Sequence, residues 1–394
     1  MFLFSDITED VRFHGFGESR CSVSAPAPTA WIALGDSPKT TRRRIREHCP
    51  AAPGVYGMIG LDKRLIYVGM SKSLRDRLCS YFVGRPVSTK VRRIAMEARH
   101  VVWEKTGHEW TAWLRELELI RQWRPRYNAR GKPGRTRRSY VCVDRGPGGH
   151  VYVSGSPAGA DGWTFGPIPA GGRFRQSVRR VNDAFVLRDC RLPRSKLLCS
   201  QRGLFARQRT EQCIRGAVGT CSAPCTLHHS KMAYQDRLRS AIAFLQGNDT
   251  SILAKLRNKM RSAARSRAYE FAARLRDQHA DLERLAAYLL RLREARSYSF
   301  VYPALGTENL YLVREGQVRG VKINPGSPPE TTELRESLDA IFPNKHAAAL
   351  MGPEDLDVVL LVSRWFREHP DELDAILLPE DARQRFTKSK VPPY

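Results

Sequence analysis

The sequence predicts an α+β protein made of several small domains in series, and three features carry that reading. Two β-rich runs around a charged turn precede two amphipathic helices between Gly54 and Asn128. Five of the nine cysteines fall between positions 190 and 225. A leucine-rich seam with 3-4 spacing then runs from Leu253 to Leu292.

The first feature holds the chemistry. Gly54-Val55-Tyr56 and Ile66-Tyr67-Val68-Gly69 read as a hairpin across Asp62-Lys63-Arg64. Ser73 is placed to cap a helix, with Asp76 three residues on as a partial capping box. Leu74, Leu78 and Phe82 take the apolar face of that helix, and Arg77 and Tyr81 share a neighbouring face at i and i+4. A second helix carries Trp110, Trp113, Leu114, Leu117 and Ile120, with Glu116 among them, and stops at Pro125. Tyrosines, an arginine, a lone carboxylate and an asparagine suit phosphodiester cleavage. The carboxylate can hold Mg²⁺ or Mn²⁺, the arginine fork matches phosphate oxygens, and a phenol can pass a proton to or from water. Taken singly, each residue reads as an ordinary half-buried tyrosine, surface arginine or helix glutamate.

Charge narrows the partner. The chain has a net charge of +26 and a pI near 10.2, which points to a polyanion. Residues 330–394 carry 13 acids against 8 bases, so the positive charge lies ahead of them. No apolar run is long enough to span a bilayer, and Met1-Phe2-Leu3-Phe4 is followed by acids rather than by a secretory pattern. With an odd cysteine count, this predicts a reducing, cytoplasmic setting without a membrane partner.

In chain order, 1–45 is expected to be a weakly ordered basic segment, with Lys39–Arg46 a short helix, and 46–130 the domain just described. A Gly/Arg-rich linker leads to 139–249, with strands at Ser139–Val143 and His150–Val153 and a helix from about Arg173. The glycine pairs at 148–149 and 171–172 match no phosphate-loop pattern and read as turns. Cys213, Cys221 and Cys225 are spaced C-x7-C-x3-C, with Cys190 and Cys199 upstream, and no C-x2-C pair is present. Thiolates so grouped suit zinc or an iron–sulfur cluster, and residue chemistry alone leaves both open. The helical hairpin occupies 250–296, and an α+β region of unassigned role occupies 297–394. In that last region strands are expected near Tyr298–Tyr302, Leu310–Val313 and Gln317–Ile323, helices near Leu334–Ile341 and Asp355–Glu368, and a mobile end from Thr387.

Gly54-Val55-Tyr56, Ile66-Tyr67-Val68-Gly69, Leu74-Arg75-Asp76-Arg77 and Arg124-Pro125-Arg126-Tyr127-Asn128 together resemble the GIY-YIG nuclease domain of the UvrC excision nucleases, over about residues 50 to 140. The resemblance implies Tyr56 as general base, Tyr67 as its partner, Arg77 as phosphate binder, Glu116 as the protein's metal ligand, Tyr81 as a neighbour and Asn128 as a brace. Lys72, Arg75, Arg124 and Arg126 flank these motifs and are expected on the DNA backbone. The family usually has lysine after the second motif's glycine. Here that residue is Met70, and Lys72 is the expected substitute. Leu187-Arg188-Asp189-Cys190 and Gly219-Thr220-Cys221-Ser222-Ala223-Pro224-Cys225 are similar to the family's cluster-binding segment. That implies a [4Fe–4S] cluster on Cys190, Cys213, Cys221 and Cys225, with Cys199 as alternative fourth ligand and zinc as alternative metal. Arg267–Gln278 is similar to the UVR motif, which implies docking on a UvrB-like helicase. Tyr269, Ala272, Ala273 and Leu275 would give apolar contact, and Glu270, Arg274, Arg276 and Asp277 would set orientation. The resemblance is closest to the short, Cho-like excision nucleases, since neither an RNase H-like domain nor helix-hairpin-helix repeats follow the UVR-like segment. The implied function is metal-dependent nicking of damaged double-stranded DNA, on the 3′ side of a lesion, in nucleotide excision repair. The alternatives are a non-catalytic DNA-binding and recruiting module, or a GIY-YIG nuclease outside excision repair.

Overall fold

The computed structural model describes residues 12–23, 29–83, 88–128, 138–146, 148–159, 162–190, 192, 197, 213–226, 231–343, 352 and 355–388. Residues 1–11, the linker at 129–137, Cys199 and the end at 389–394 lie outside them. The chain divides into two compact units. One holds residues 1–135, 295–350 and 354–394, and the other holds 136–294 with 351–353.

The first unit begins with an antiparallel sheet of β1 (Ala30–Ala33), β2 (Gly54–Ile59), β3 (Leu65–Ser71) and β4 (His100–Lys105), in the order β1-β4-β2-β3. The turn between β2 and β3 includes Lys63 at φ 59°, in the left-handed region. Alternation along β2 sends Tyr56 and Met58 to one face, against α1 (Pro38–His48), α2 (Leu74–Tyr81) and α3 (Thr89–Glu97). Val55 joins Val68 and Val102 on the other face, against Ala112, Leu119 and Ile120 of α4 (Glu109–Trp123). Ser73 does precede α2, but its hydroxyl donates to Asp76 at 2.6 Å instead of capping a backbone N–H. Arg124, at φ 45°, ends α4 one residue before Pro125.

One expectation for the N-terminal region differs from what the described residues show. Residues 12–23 and 29–45 are not weakly ordered: Phe16 and Ile45 are fully buried, and Ala30–Ala33 pairs with β4. The reason is Arg115, itself fully buried on α4, which donates to the carbonyls of Phe16, Gly17 and Glu18 and to the carboxylates of Glu104 and Glu118. A buried guanidinium needs such complete pairing to offset its desolvation. The segment is thereby tied to the sheet.

The second unit has a three-stranded antiparallel sheet, β6-β5-β7, made of β5 (Arg138–Asp144), β6 (Val151–Ser154) and β7 (Gly162–Pro169). Helices α5 (Gly172–Ala184), the short α6 (Ile214–Ala217) and α7 (Lys231–Gln246) follow. Gly149 is a turn residue, since a Cβ there would fall 2.4 Å from the Asp144 carbonyl oxygen. The expected hairpin is α8 (Ser251–Arg265) with α9 (Tyr269–Ser297). Leu256, Ala263, Ala272 and Leu275 belong to its internal core.

The C-terminal region is not a separate appendage. Its strands β8 (Phe300–Pro303), β9 (Asn309–Arg314) and β10 (Gln317–Ile323) form an antiparallel sheet in the order β10-β9-β8. They are followed by α10 (Pro328–Ile341), α11 (Leu356–Glu368) and α12 (Pro379–Lys388). Thr387 thus closes a helix rather than opening a mobile end. Trp110 of α4 is fully buried in this region's core, with ring centroids 5.5 Å from Tyr302, 5.7 Å from Tyr311, 5.7 Å from Trp365 and 5.6 Å from Phe366. The Tyr311 hydroxyl donates to the Cys21 carbonyl at 2.8 Å, so Thr111, 2.7 Å away, donates to it in turn. The expected boundary at 297 therefore falls within one core.

Truncating a buried aromatic at such a junction costs ~3–5 kcal/mol. Trp110→Ala should lower the urea midpoint of the first unit as a whole, with tryptophan fluorescence and far-UV dichroism moving together. Loss of the C-terminal sheet alone, with the first sheet unchanged, would contradict the shared core.

Candidate active site

Tyr56 stands mid-strand on β2, opposite Gly69 on β3. A Cβ at Gly69 would lie 2.6 Å from Tyr56 Cζ and Oη, so only glycine leaves room for the phenol. Tyr81, at the end of α2, places its hydroxyl 3.0 Å from that of Tyr56. Arg77, one turn earlier, donates from Nε to Tyr56 Oη at 3.1 Å, and its guanidinium carbon lies 5.3 Å from the Tyr81 ring centroid. Tyr67 completes the group, with ring centroids 6.1 Å from Tyr56 and 6.3 Å from Tyr81. The resemblance implies Tyr81 as an active-site neighbour, and the fold gives it a hydrogen bond to Tyr56.

Burial, reinforced by the neighbouring phenols of Tyr67 and Tyr81, pushes the Tyr56 hydroxyl well above the usual tyrosine range, and Arg77 opposes the rise. Burial likewise raises Tyr67. The phenols of Tyr56 and Tyr67 are thus neutral near pH 7. Arg77 is held charged, chiefly by its contact with Tyr56.

Glu116 is half-buried on α4, and among the described residues no hydrogen bond or ion pair reaches its carboxylate. Burial pushes its pKa up to about 7, against the charges of Arg364, Lys90 and Arg77. The Glu116 charge in turn raises Tyr67, which ties the carboxylate to the phenol group. A desolvated carboxylate without a protein partner fits a divalent cation that keeps most of its own waters. The sequence reading missed Lys90 and Arg364. Lys90 Nζ lies 5.2 Å from the Tyr67 ring centroid. Lys72 is exposed, and Met70 packs into the core against α4, so the lysine beside Tyr67 comes from α3. A basic residue near the start of α3 was the available signal.

The flanking residues divide. Asn128 is buried and clamps β3, accepting from the Val68 N–H and donating to the Val68 carbonyl, both at 2.9 Å. Arg75 is half-buried and donates from Nε to the Cys49 carbonyl at 2.8 Å, which fixes α2 and takes that nitrogen away from any DNA contact. Arg124 and Arg126 are exposed, and Arg126 pairs with Glu97, as does the Tyr127 hydroxyl.

In the second unit, Cys213 is exposed, Cys190 half-buried, and Cys221 and Cys225 buried. Burial raises the Cys221 thiol, with smaller contributions from Cys213 and Cys190. Among the described residues, no three His, Cys, Asp or Glu side chains converge closely enough to hold a metal. Arg215 organises this loop by bonding Asp183, Asp189 and the carbonyls of Leu187 and Thr220. On the hairpin, Ala272 and Leu275 face its interior and are removed from the expected partner surface, with Ala273 half-buried. Tyr269 and Phe271 are exposed at 66% and 48%, beside exposed Glu270, Arg274, Arg276 and Asp277. Phe271 is the apolar residue that the motif reading left out.

Comparison with known proteins gives three consecutive family matches: the UvrC-like GIY-YIG domain over residues 52–129, the UvrC/Cho excinuclease middle domain over 150–244, and the UvrB/uvrC motif over 250–285. The UvrABC system protein C of Shewanella piezotolerans is 30% identical over 351 residues, covering 86% of this chain and 54% of the relative. That of Shewanella sediminis is 31% identical over 296 residues, covering 74% and 47%. The chain spans about half the length of the curated relatives it matches. Among solved structures, the magnesium-bound GIY-YIG N-terminal endonuclease domain of UvrC from Thermotoga maritima is 36% identical, covering 22% of this chain and 96% of that one, with a TM-score of 0.20. No helix among the described residues is long and apolar enough to cross a membrane.

Glu116 titrates higher in the folded chain, at about 7, than its ordinary 4.5, so the folded state takes up a proton between those values. Its contribution to stability therefore falls as pH rises through that window, by ~1–3 kcal/mol. In EDTA, Glu116→Gln should melt several degrees above wild type at pH 8 and much closer to it at pH 5. Mg²⁺ should raise the wild-type melting temperature at pH 8 and leave the variant unmoved. Equal responses of the two proteins to Mg²⁺ would remove the metal from Glu116.

Proposed function

The chain belongs to the UvrC family, and from that premise we propose that it is a metal-dependent endonuclease of nucleotide excision repair, nicking one strand of damaged DNA near a lesion, on its 3′ side. The observation that carries this reading is the hydrogen-bonded set Arg77–Tyr56–Tyr81 beside an unpartnered Glu116.

A divalent cation bound at Glu116 would supply Lewis-acid charge for a phosphate oxygen and the departing oxygen. Arg77 spends Nε on Tyr56 and turns its terminal nitrogens to a phosphate. With Tyr81 and Arg77 both donating to it, the Tyr56 oxygen is placed to be stabilised as a phenolate; Tyr56, protonated near pH 7, would release its own proton to solvent and as phenolate take one from the attacking water. Tyr67 packs beside this oxygen and Lys90 adds positive charge. Asn128 holds β3, and with it Tyr67 and Gly69, in register.

The UvrB/uvrC motif supports docking of α8–α9 on a UvrB-like helicase, through Tyr269 and Phe271 for apolar contact and Glu270, Arg276 and Asp277 for orientation. A [4Fe–4S] cluster on Cys190, Cys213, Cys221 and Cys225 rests on the resemblance of these segments to the family's cluster-binding segment, since residue type and spacing alone leave zinc equally open. Such a cluster would give the anaerobically purified protein a brown colour and a broad visible absorption, whereas a colourless, zinc-containing protein would replace it with the other metal.

Glu116→Ala should abolish Mg²⁺-dependent nicking of a lesion-bearing duplex while leaving DNA binding within a few-fold, and Tyr56→Phe should slow nicking about 10²–10⁴-fold. The assay is single-turnover gel analysis with and without a UvrB-like partner. Wild-type nicking by Glu116→Ala would contradict the mechanism.

A further inference from the structure

Three cations act on Glu116, and the one with the strongest influence, Arg364, comes from the C-terminal region. Its guanidinium carbon lies 4.5 Å from the ring centroid of Trp113, which stands one turn before Glu116 on α4. Residues three apart on a helix share a face, so Arg364 stands beside the carboxylate. The placement is rigid at its base. The adjoining Trp365 and Phe366 are each 1% exposed, and Trp365 packs its ring 5.6 Å from Trp113 and 5.7 Å from Trp110.

Arg364 itself remains about half exposed, with Nε donating to Glu368 at 2.8 Å. An exposed i,i+4 ion pair of this kind is weak and exchanges readily for a phosphate. Stacking on an indole leaves the edge of a guanidinium available to an oxyanion, a geometry that lysine does not reproduce.

We propose that Arg364 is a substrate-binding residue of the cleavage site, contacting a backbone phosphate next to the one that is cut, so that the C-terminal region forms part of that site. This rests on the endonuclease reading above. The test uses the full chain with Glu116→Gln, which holds DNA uncut, and measures binding of a fluorescent duplex by anisotropy across about 50–200 mM salt. Adding Arg364→Gln should weaken binding about 3–10-fold at low salt and reduce the salt slope by about 1. Arg364→Lys should keep the slope and lose part of the affinity, while Arg335→Gln, an exposed position on α10, should change neither. An Arg364→Gln protein with unchanged slope, whether or not it melts lower, would confine Arg364 to the Trp113 stack and overturn the proposal. The endonuclease reading fails separately, if the wild-type chain does not nick a lesion-bearing duplex in Mg²⁺, and the binding comparison stays readable in that case.

Discussion

Helix α4 is covered on both sides, and the rest of the first unit is arranged around that burial. Of its fifteen residues only Gln122 is exposed. Ala112, Leu119 and Ile120 complete the core under the first sheet, and Trp110 and Leu114 complete the core of the second. A helix apolar on two faces cannot be satisfied by one sheet. The C-terminal region supplies the missing cover, and in doing so fixes the backbone that carries Glu116.

The same helix shows how one turn can hold two opposite electrostatic solutions. Arg115 is fully buried and fully paired, bridging Glu104, Glu118 and three carbonyls of the N-terminal segment. Its neighbour Glu116 is desolvated without a hydrogen-bonding partner among the described residues, and its pKa rises to about 7. Buried polar groups are ordinarily satisfied, so an exception beside three phenols marks a place prepared for a ligand. Stability is spent at Glu116 and recovered at Arg115.

Much of this was legible in the sequence because the signals were local. The tyrosine-bearing hairpin, the Arg77–Tyr81 spacing, the α8–α9 seam and the hairpin around Glu315-Gly316 all follow from short-range periodicity and turn chemistry. What was missed is long-range. β4, with its run His100-Val101-Val102-Trp103-Glu104-Lys105, joins β1 to the sheet, and the charge on Glu104 hides a core strand because its partner Arg115 lies eleven residues away. Phe16 reads as loop until Arg115 is seen to hold its carbonyl. Trp110 reads as the core of its own domain, and nothing nearby in sequence reveals that its pocket is built from Tyr302, Tyr311, Trp365 and Phe366. On the hairpin the period was right but its use was divided, since Ala272 and Leu275 serve the internal pair and leave Tyr269 and Phe271 outside.

Native-state amide hydrogen exchange tests the shared helix most directly, because it reports the opening free energy of each segment. If α4 joins both sheets, the slowest amides of β2, α4 and β9 will exchange with one common free energy and one common denaturant dependence. Exchange of β9 through a lower-energy opening that leaves α4 and β2 protected would show two independent domains, and Glu116 would then owe nothing to the C-terminal region.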